Sequence, residues 1–287
     1  MSDGHGPHLT SRYPEGMALQ DAKLVTSITY PFWPGNLGKS WITNTLAAEC
    51  DPGDGTVPLR VLDIGAGSGS GWTSVVHSVP QIHLTLWDAD PQWYQHAARN
   101  GRHSRLNFVN TLDGLDNESF EVVTSMSVLE HVADLEEHFS NIKSLLRPSG
   151  IGIVLWDDGH FRPSIDLTRP IASSSLAFKE STKWAASVAL GRRVPPSHFQ
   201  RRRPMDEVVL AATRSGLDVA WSTFVGLDGV KSAVSHVPAA HIVEVMNAWL
   251  TLERQLISSL GEAMEQRSML EQLFASRIVI VRKSELG

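Results

Sequence analysis

Val61-Leu-Asp-Ile-Gly-Ala-Gly-Ser-Gly69 is the stretch on which the reading of this chain turns. Leu59-Arg-Val-Leu-Asp-Ile64 is a short apolar run of the kind that forms a buried strand. Three glycines at alternate positions follow it, and Ser70 to Ser78 can then form a helix. Glycine suits a strand-to-helix turn in which the backbone bends sharply and approaches a ligand with no Cβ in the way. The backbone N–H groups at the helix start then face whatever is bound. Asp63 lies on the strand, two residues before the first glycine, and Asp88 stands at the tip of the next apolar run. An acid at that second tip can accept hydrogen bonds from both ribose hydroxyls of an adenosine.

Spacing narrows the choice of nucleoside. Dinucleotide dehydrogenases prefer G-x-G-x-x-G, whose last glycine allows close helix–sheet packing around a pyrophosphate. Counted from Gly65 that position is Ser70, and counted from Gly67 it is Trp72, so both registers fail. A G-x-x-x-x-G-K-[ST] phosphate loop is also missing from the sequence.

Working outward, Ile82-His-Leu-Thr-Leu-Trp87 alternates as a second strand, and Pro91 suits the first turn of a helix running to about Arg99. Arg105–Val109 and Phe120–Ser125 read as further strands. Asp134 to Leu146 has apolar residues at helical spacing, Arg147-Pro-Ser-Gly150 supplies turn residues that end it, and Ile151–Trp156 is a fifth strand. Strands alternating with helices imply a parallel sheet covered on both faces. A helix is also expected from about Asn36 to Ala48, with Leu37, Trp41, Ile42 and Leu46 near one face. Later come a helix at Met205–Ser215, a strand at Asp218–Val225, a helical stretch from Ala239 to Phe274 and a closing apolar strand, Ser276–Arg282.

The expected organisation is an N-terminal arm and helical extension (1–56), a nucleoside-binding core (57–157), an insertion or substrate lid (158–204), a continuation of the core (205–226), a helical insertion (227–274) and the last core strand (275–287). In the helical insertion Ile242, Val245, Trp249, Leu252, Leu256, Leu270 and Leu273 roughly follow a heptad, which serves either a homodimer seam or a lid over the site.

At 287 residues, 42% hydrophobic and 20% charged, the chain reads as an ordinary globular protein with a sizeable core. A net charge of -6 argues against generic attraction to nucleic acid or anionic membrane. Cys50 stands alone, so no internal disulfide forms, which suits a reducing cytoplasm. No signal peptide is read in Met1–His8, and no run approaches the roughly 20 apolar residues of a membrane span.

The glycine loop resembles the first motif of class I (Rossmann-like) S-adenosylmethionine (SAM)-dependent methyltransferases. Ser119-Phe-Glu-Val-Val-Thr-Ser-Met-Ser-Val-Leu-Glu-His-Val132 resembles their fourth-strand segment, and Leu145-Leu-Arg-Pro-Ser-Gly150 the turn before their fifth strand. The three occur in family order over roughly 59–157, and the chain is most similar to the small-molecule (type 11/12-like) group. The resemblance implies an α/β fold with a seven-stranded, mostly parallel sheet whose last strand is antiparallel. It implies SAM as cofactor and methylation of a small-molecule acceptor, of the kind met in secondary metabolism. It also assigns roles. Asp63 would orient the loop and approach the methionine amino group; Gly65, Ala66, Gly67 and Gly69 would line the cofactor; Asp88 would bind the ribose. Ala89 would lie near the adenine, Trp87 would flank it, and either Asn110 or Asp113 would contact it. Backbone around Ser125 to Ser127 would pass under the methyl donor.

Methyl transfer from a sulfonium chiefly needs alignment, which can supply roughly 7–11 kcal/mol. A base is needed when the acceptor must lose a proton. His131, just past the fourth strand, is a candidate base, or else Glu130 and His131 cap the following helix. Asp157-Asp158-Gly-His160 at the fifth strand's tip offers Asp158 and His160 as base or metal ligands, or is a polar turn; no metal is assigned. These possible bases favour oxygen as the methylated atom. Arg201, in the basic run Arg192 to Arg203, can receive an acceptor's phosphate or carboxylate, or lies in a solvated loop. Tyr30, Phe32 and Trp33 either wall an acceptor pocket or pack the added helix. The alternatives to a small-molecule enzyme are a protein or RNA methyltransferase and a SAM-binding subunit without transfer activity.

Overall fold

The computed structural model describes residues 24–50, 58–99, 104–157, 203–227, 230–234, 236–260 and 264–283. Asp158, His160 and Arg201, with most of the 158–204 insertion and the arm before Leu24, lie outside the described residues.

Seven strands form a single sheet in the order β3-β2-β1-β4-β5-β7-β6. They are β1 (Leu59–Ile64), β2 (Ile82–Trp87), β3 (Leu106–Val109), β4 (Phe120–Met126), β5 (Leu146–Asp157), β6 (Leu217–Leu227) and β7 (Phe274–Lys283). The first five run parallel, and β7 pairs antiparallel with both β5 and β6. That is the seven-stranded α/β architecture the motifs imply. The helices are α1 (Leu37–Glu49), α2 (Ser70–Ser78), α3 (Pro91–Arg99), α4 (Leu135–Leu145), α5 (Met205–Arg214), α6 (Val230–Val234), α7 (Ile242–Leu260) and α8 (Met264–Leu273). No helix among the described residues is long and apolar enough to cross a membrane.

The two-residue period of a strand sorts its side chains onto opposite faces. On β1, Leu59 and Val61 join a core with α1, α2 and α7, while Leu62 and Ile64 join one with α4 and α5. On β5, Ile151, Ile153 and Leu155 take the first face, and Val154 and Trp156 the second. Asp63 therefore belongs to the α1–α2 side of the sheet, with Leu59 and Val61.

Caps follow the local sequence. The Asn36 side chain accepts from the Lys39 amide at the start of α1, and Asp134 accepts from the Glu137 amide at the start of α4. The helical stretch expected from Ala239 to Phe274 is a 3-10 turn (Ala239–His241) followed by α7 and α8. The apolar stripe of α7 turns inward: Ile242, Met246, Trp249 and Leu250 are buried in the chain's own core, whereas Leu252 is exposed.

One expectation needs correction. Arg147-Pro-Ser-Gly150 is not a turn outside the sheet; it belongs to β5, which begins at Leu146. Phe120 pairs with Leu146 and Val122 with Ile151, so residues 147–150 bulge out opposite Glu121. The buried Glu121 carboxylate gathers this bulge, accepting from the Arg60 amide at 2.9 Å and from Arg147 Nη1 at 2.8 Å. A Cβ on Gly150 would sit 2.9 Å from the Phe120 carbonyl oxygen and 3.0 Å from that of Glu121, and backbone cannot step aside. Gly150→Ala should therefore destabilise the fold by about 1–3 kcal/mol in urea denaturation. Gly114→Ala, where the added Cβ meets nothing within 4 Å, should be near neutral.

Candidate functional site

The order of the sheet reverses between β1 and β4, and a crevice opens where the two chain directions part. A cavity of about 300 Å³ occupies it. The glycine loop and the start of α2 line one side, from Gly65 to Trp72 with Asp63 beneath them. Met126 and Ser127 at the end of β4, Lys39 of α1, Trp33 and Trp93 complete the wall.

The three glycines of the loop share a backbone requirement and differ in what a side chain would meet. All have positive φ, at +80°, +56° and +64°. A Cβ on Gly65 would strike Val128, and one on Gly69 would strike Leu86 and Phe108, so these two permit close packing. A Cβ on Gly67 would meet nothing within 4 Å, so this residue faces the open cavity. The loop is held without a ligand. The Trp87 carbonyl accepts from the Gly65 and Ala66 amides at 2.8 and 3.0 Å. The Asp88 carboxylate accepts from the Gly67 amide at 2.8 Å and from the Asp90 amide at 2.9 Å.

Asp63 is buried and fully engaged. One carboxylate oxygen accepts from Trp72 Nε1 at 2.6 Å and the other from Thr124 Oγ1 at 2.7 Å. It faces Thr124 because these residues are register partners on adjacent parallel strands. Burial pushes its carboxyl up to about 6, against the lowering effect of the two hydrogen bonds and of the Lys39 charge.

Beyond β4, Ser127 adopts a left-handed φ of 64°, rare for a residue with a Cβ, while its amide donates to the Leu155 carbonyl at 2.7 Å. Such backbone strain tends to collect where a ligand is handled. Ser125, by contrast, points its hydroxyl to the far face, 3.1 Å from His138 Nε2. Burial holds that imidazole down at about 4, a neutral core histidine.

The next turn, Leu129–His131, leaves His131 exposed and Glu130 buried. Burial, with the Asp157 charge adding to it, pushes the Glu130 carboxyl up to about 7. The turn is clasped by Arg203, whose guanidinium donates to the carbonyls of Leu129, Val132 and Ala133 and pairs with Glu207 at 2.6 Å. Among the described residues no group of three or more His, Cys, Asp or Glu is placed to hold a metal.

Of the aromatic trio before α1, Trp33 lines the cavity, Phe32 is in the core, and Tyr30 is 42% exposed and stacked on Phe32 at 5.3 Å. Trp33 meets Trp72 edge to face at 5.5 Å. Ala89, Asn110 and Asp113 are exposed beyond the tips of β2 and β3. Lys39, Gly71, Trp72 and Met126 were not legible as site residues. Only the pairing of α1 and β4 with the loop reveals them.

Residues 62–151 match a family model described as a methyltransferase domain. A ubiquinone biosynthesis O-methyltransferase of Rhizobium leguminosarum bv. trifolii is 33% identical over 100 residues, 32% of this chain and 38% of that protein. The highly reducing polyketide synthase verA of Penicillium polonicum is 23% identical over 103 residues, 32% of this chain and 4% of that one. The chain thus spans well under half the length of these curated relatives. A SAM-dependent methyltransferase structure from Mesorhizobium loti superposes with a TM-score of 0.48 at 16% identity, covering 83% of this chain and 96% of that one.

The Trp33–Gly71 contact is testable. A Cβ on Gly71 would lie 2.0 Å from Trp33 Cε2. Helix propensity alone would make Gly71→Ala stabilising by up to about 1 kcal/mol. In the wild-type background it should instead destabilise by about 1–3 kcal/mol. In a Trp33→Ala background the propensity gain should return. A double-mutant cycle by chemical denaturation reads the difference, and equal effects in both backgrounds would exclude the contact.

Proposed function

We propose, from the premise that residues 62–151 of this chain form a methyltransferase domain of the Rossmann-like class, that the chain transfers the methyl group of SAM to a small molecule, preferably at oxygen. The observation that carries the reading is the cavity at the β1–β4 switch point. There an open-facing Gly67, a buried Asp63 and a strained Ser127 surround space of about 300 Å³ under Trp33.

The residues fit the cofactor. Gly67 leaves room for close approach of a ligand to backbone, and the start of α2 offers amides at its open end. Asp63 presents carboxylate beside Lys39, suited to an amino acid's ammonium and carboxylate respectively. Asp88 reaches the ribose hydroxyls by giving up its bond to the Gly67 amide, or serves as the loop's clamp. Ala89 and either Asn110 or Asp113 would face the adenine from the β2 and β3 tips. The backbone from Ser125 to Ser127 would pass below the reacting centre.

When bound, the sulfonium supplies an activated methyl carbon, so the chain's own task is to align the acceptor, exclude water and handle a proton. Trp33 roofs the cavity with an apolar surface, with Phe32 and Tyr30 behind it. Arg201 would meet an anionic group on the acceptor. The proton acceptors proposed from the sequence are His131, which is exposed on the turn after β4, and Asp158 and His160, which follow β5.

Isothermal titration of the purified chain with S-adenosylhomocysteine tests this reading. The wild type should bind. Gly67→Val should weaken binding at least about tenfold, because a branched residue at that φ is strained and fills the cavity. Binding undetectable in the wild type, or unaltered in Gly67→Val, would remove the assignment.

A further inference from the structure

The turn after β4 buries a carboxylate that no side chain among the described residues bonds. Glu130 is 1% exposed, and no side chain among the described residues hydrogen-bonds its carboxylate, which has only the backbone amides of Glu130 and Asp157 near it. Burying a carboxylate without partners is costly, and a glutamine would occupy the same volume at less cost. The turn is tied separately by Arg203, which donates to the carbonyls of Leu129, Val132 and Ala133.

Its charged surroundings include one residue of the cavity wall, although Glu130 itself lies behind that wall. From α1 comes the Lys39 ammonium, which lines the cavity and acts electrostatically on both Asp63 and Glu130. From β5 comes Asp157, on the same sheet face as Ile153 and Leu155, with its charge and its amide close to the Glu130 carboxylate. From the α5 side comes Arg203, bonded to the turn's backbone and to Glu207. The neighbouring His131 is exposed.

We propose that Glu130 is a catalytic residue whose carboxylate contacts the O–H or N–H of the methyl acceptor at the edge of this cavity and takes its proton. The proposal rests on the SAM reading above. In the step, the acceptor's lone pair forms the new bond to the methyl carbon as the C–S bond breaks. The C–S pair stays on sulfur, which becomes a neutral thioether. The acceptor's proton passes to a Glu130 oxygen, giving a neutral carboxylic acid that later releases it to solvent. Asp157 acts as a positioning residue, its negative charge raising the basicity of Glu130. Lys39 limits that rise. Burial and Asp157 together push the carboxyl up to about 7, so a basic fraction is present near neutral pH.

The test uses the full chain and Glu130→Gln. Titration with S-adenosylhomocysteine comes first. If the wild type does not bind, the SAM reading fails, whatever Glu130 does. If both proteins bind within about twofold of each other, the cofactor site is intact and later losses belong to the acceptor. Melting is then compared near pH 5 and near pH 8. The carboxyl's folded-state pKa lies above its ordinary 4.5, so its presence lowers stability as pH rises from 4.5 to about 7. Glu130→Gln should therefore melt higher than wild type by a few degrees near pH 8, with a much smaller difference near pH 5. A lower melting point near pH 8 would make Glu130 a structural tie and overturn the proposal. With labelled SAM and a panel of phenols and primary amines, the acceptor the wild type methylates should be turned over about 10²–10⁴-fold more slowly by the variant, with the acidic limb of its pH profile lost. Retention of the wild-type rate and profile would also overturn it.

Discussion

The site depends on a single buried carboxylate. Asp63 sits at the end of the central strand with one oxygen on Trp72 and the other on Thr124, so it ties β1 to α2 on one side and to β4 on the other. Both donors are interior groups, and leaving the Trp72 N–H unpaired would cost roughly 1–3 kcal/mol. The alternation of β1 makes this possible, since Asp63 shares a face with Leu59 and Val61 and meets α2 across it. Once Trp72 is fixed, the start of α2 is fixed, and so is the far end of the glycine loop. The near end is held by the Trp87 carbonyl and Asp88. The loop is thus preorganised by polar contacts from three strands before any ligand arrives, which lowers the ordering cost of binding.

The roof of the cavity is built from distant parts of the chain. Trp33 reaches α2 only because the segment before it is stitched in place. Asn44 of α1 accepts from the Thr29 and Tyr30 amides and donates to the Tyr30 carbonyl. Asn247 of α7 accepts from the Ile28 amide at 2.7 Å and donates to the Ile28 carbonyl at 3.0 Å. Each asparagine replaces a strand's worth of pairing for an otherwise irregular segment. The helix placed between β6 and β7 therefore supports the wall of a cavity at the other side of the sheet's centre. Ile242, Met246, Trp249 and Leu250 of its apolar stripe join the chain's own core, and the helix packs on β6.

What the sequence reveals and what it hides divide along the range of the interaction. The strands and most helix limits follow from local period and from turn residues, and the glycine loop follows from its own spacing. The bulge at 147–150 has the sequence of a turn, with Pro148, Ser149 and Gly150; its place beside β4 is held by Glu121, a strand away. Ser127 carries no local sign of its left-handed backbone, which the Leu155 carbonyl helps to fix. Glu130 and His131 are adjacent polar residues with equal claims on paper. Only the packing of the turn decides that the carboxylate goes in and the imidazole stays out. The Gly71–Trp33 contact is hidden for the same reason, since a glycine inside a helix does not announce which ring lies on it.

The same packing separates two tasks that an acidic residue in this position usually shares. A glutamate after a strand can stabilise a turn by accepting from free amides, and it can act on a ligand; it does both poorly at once, because a bond that holds it also lowers its basicity. Here Arg203 ties the turn independently by donating to its carbonyls, and Trp156 Nε1 fixes Arg203 in turn by donating to its carbonyl at 2.8 Å. Glu130 is left without a side-chain partner among the described residues. Asp63 shows the opposite allocation: also buried, but bonded to a side chain through each oxygen while lining the cavity. Both acids feel the charge of Lys39, one with two side-chain donors and the other with none among the described residues.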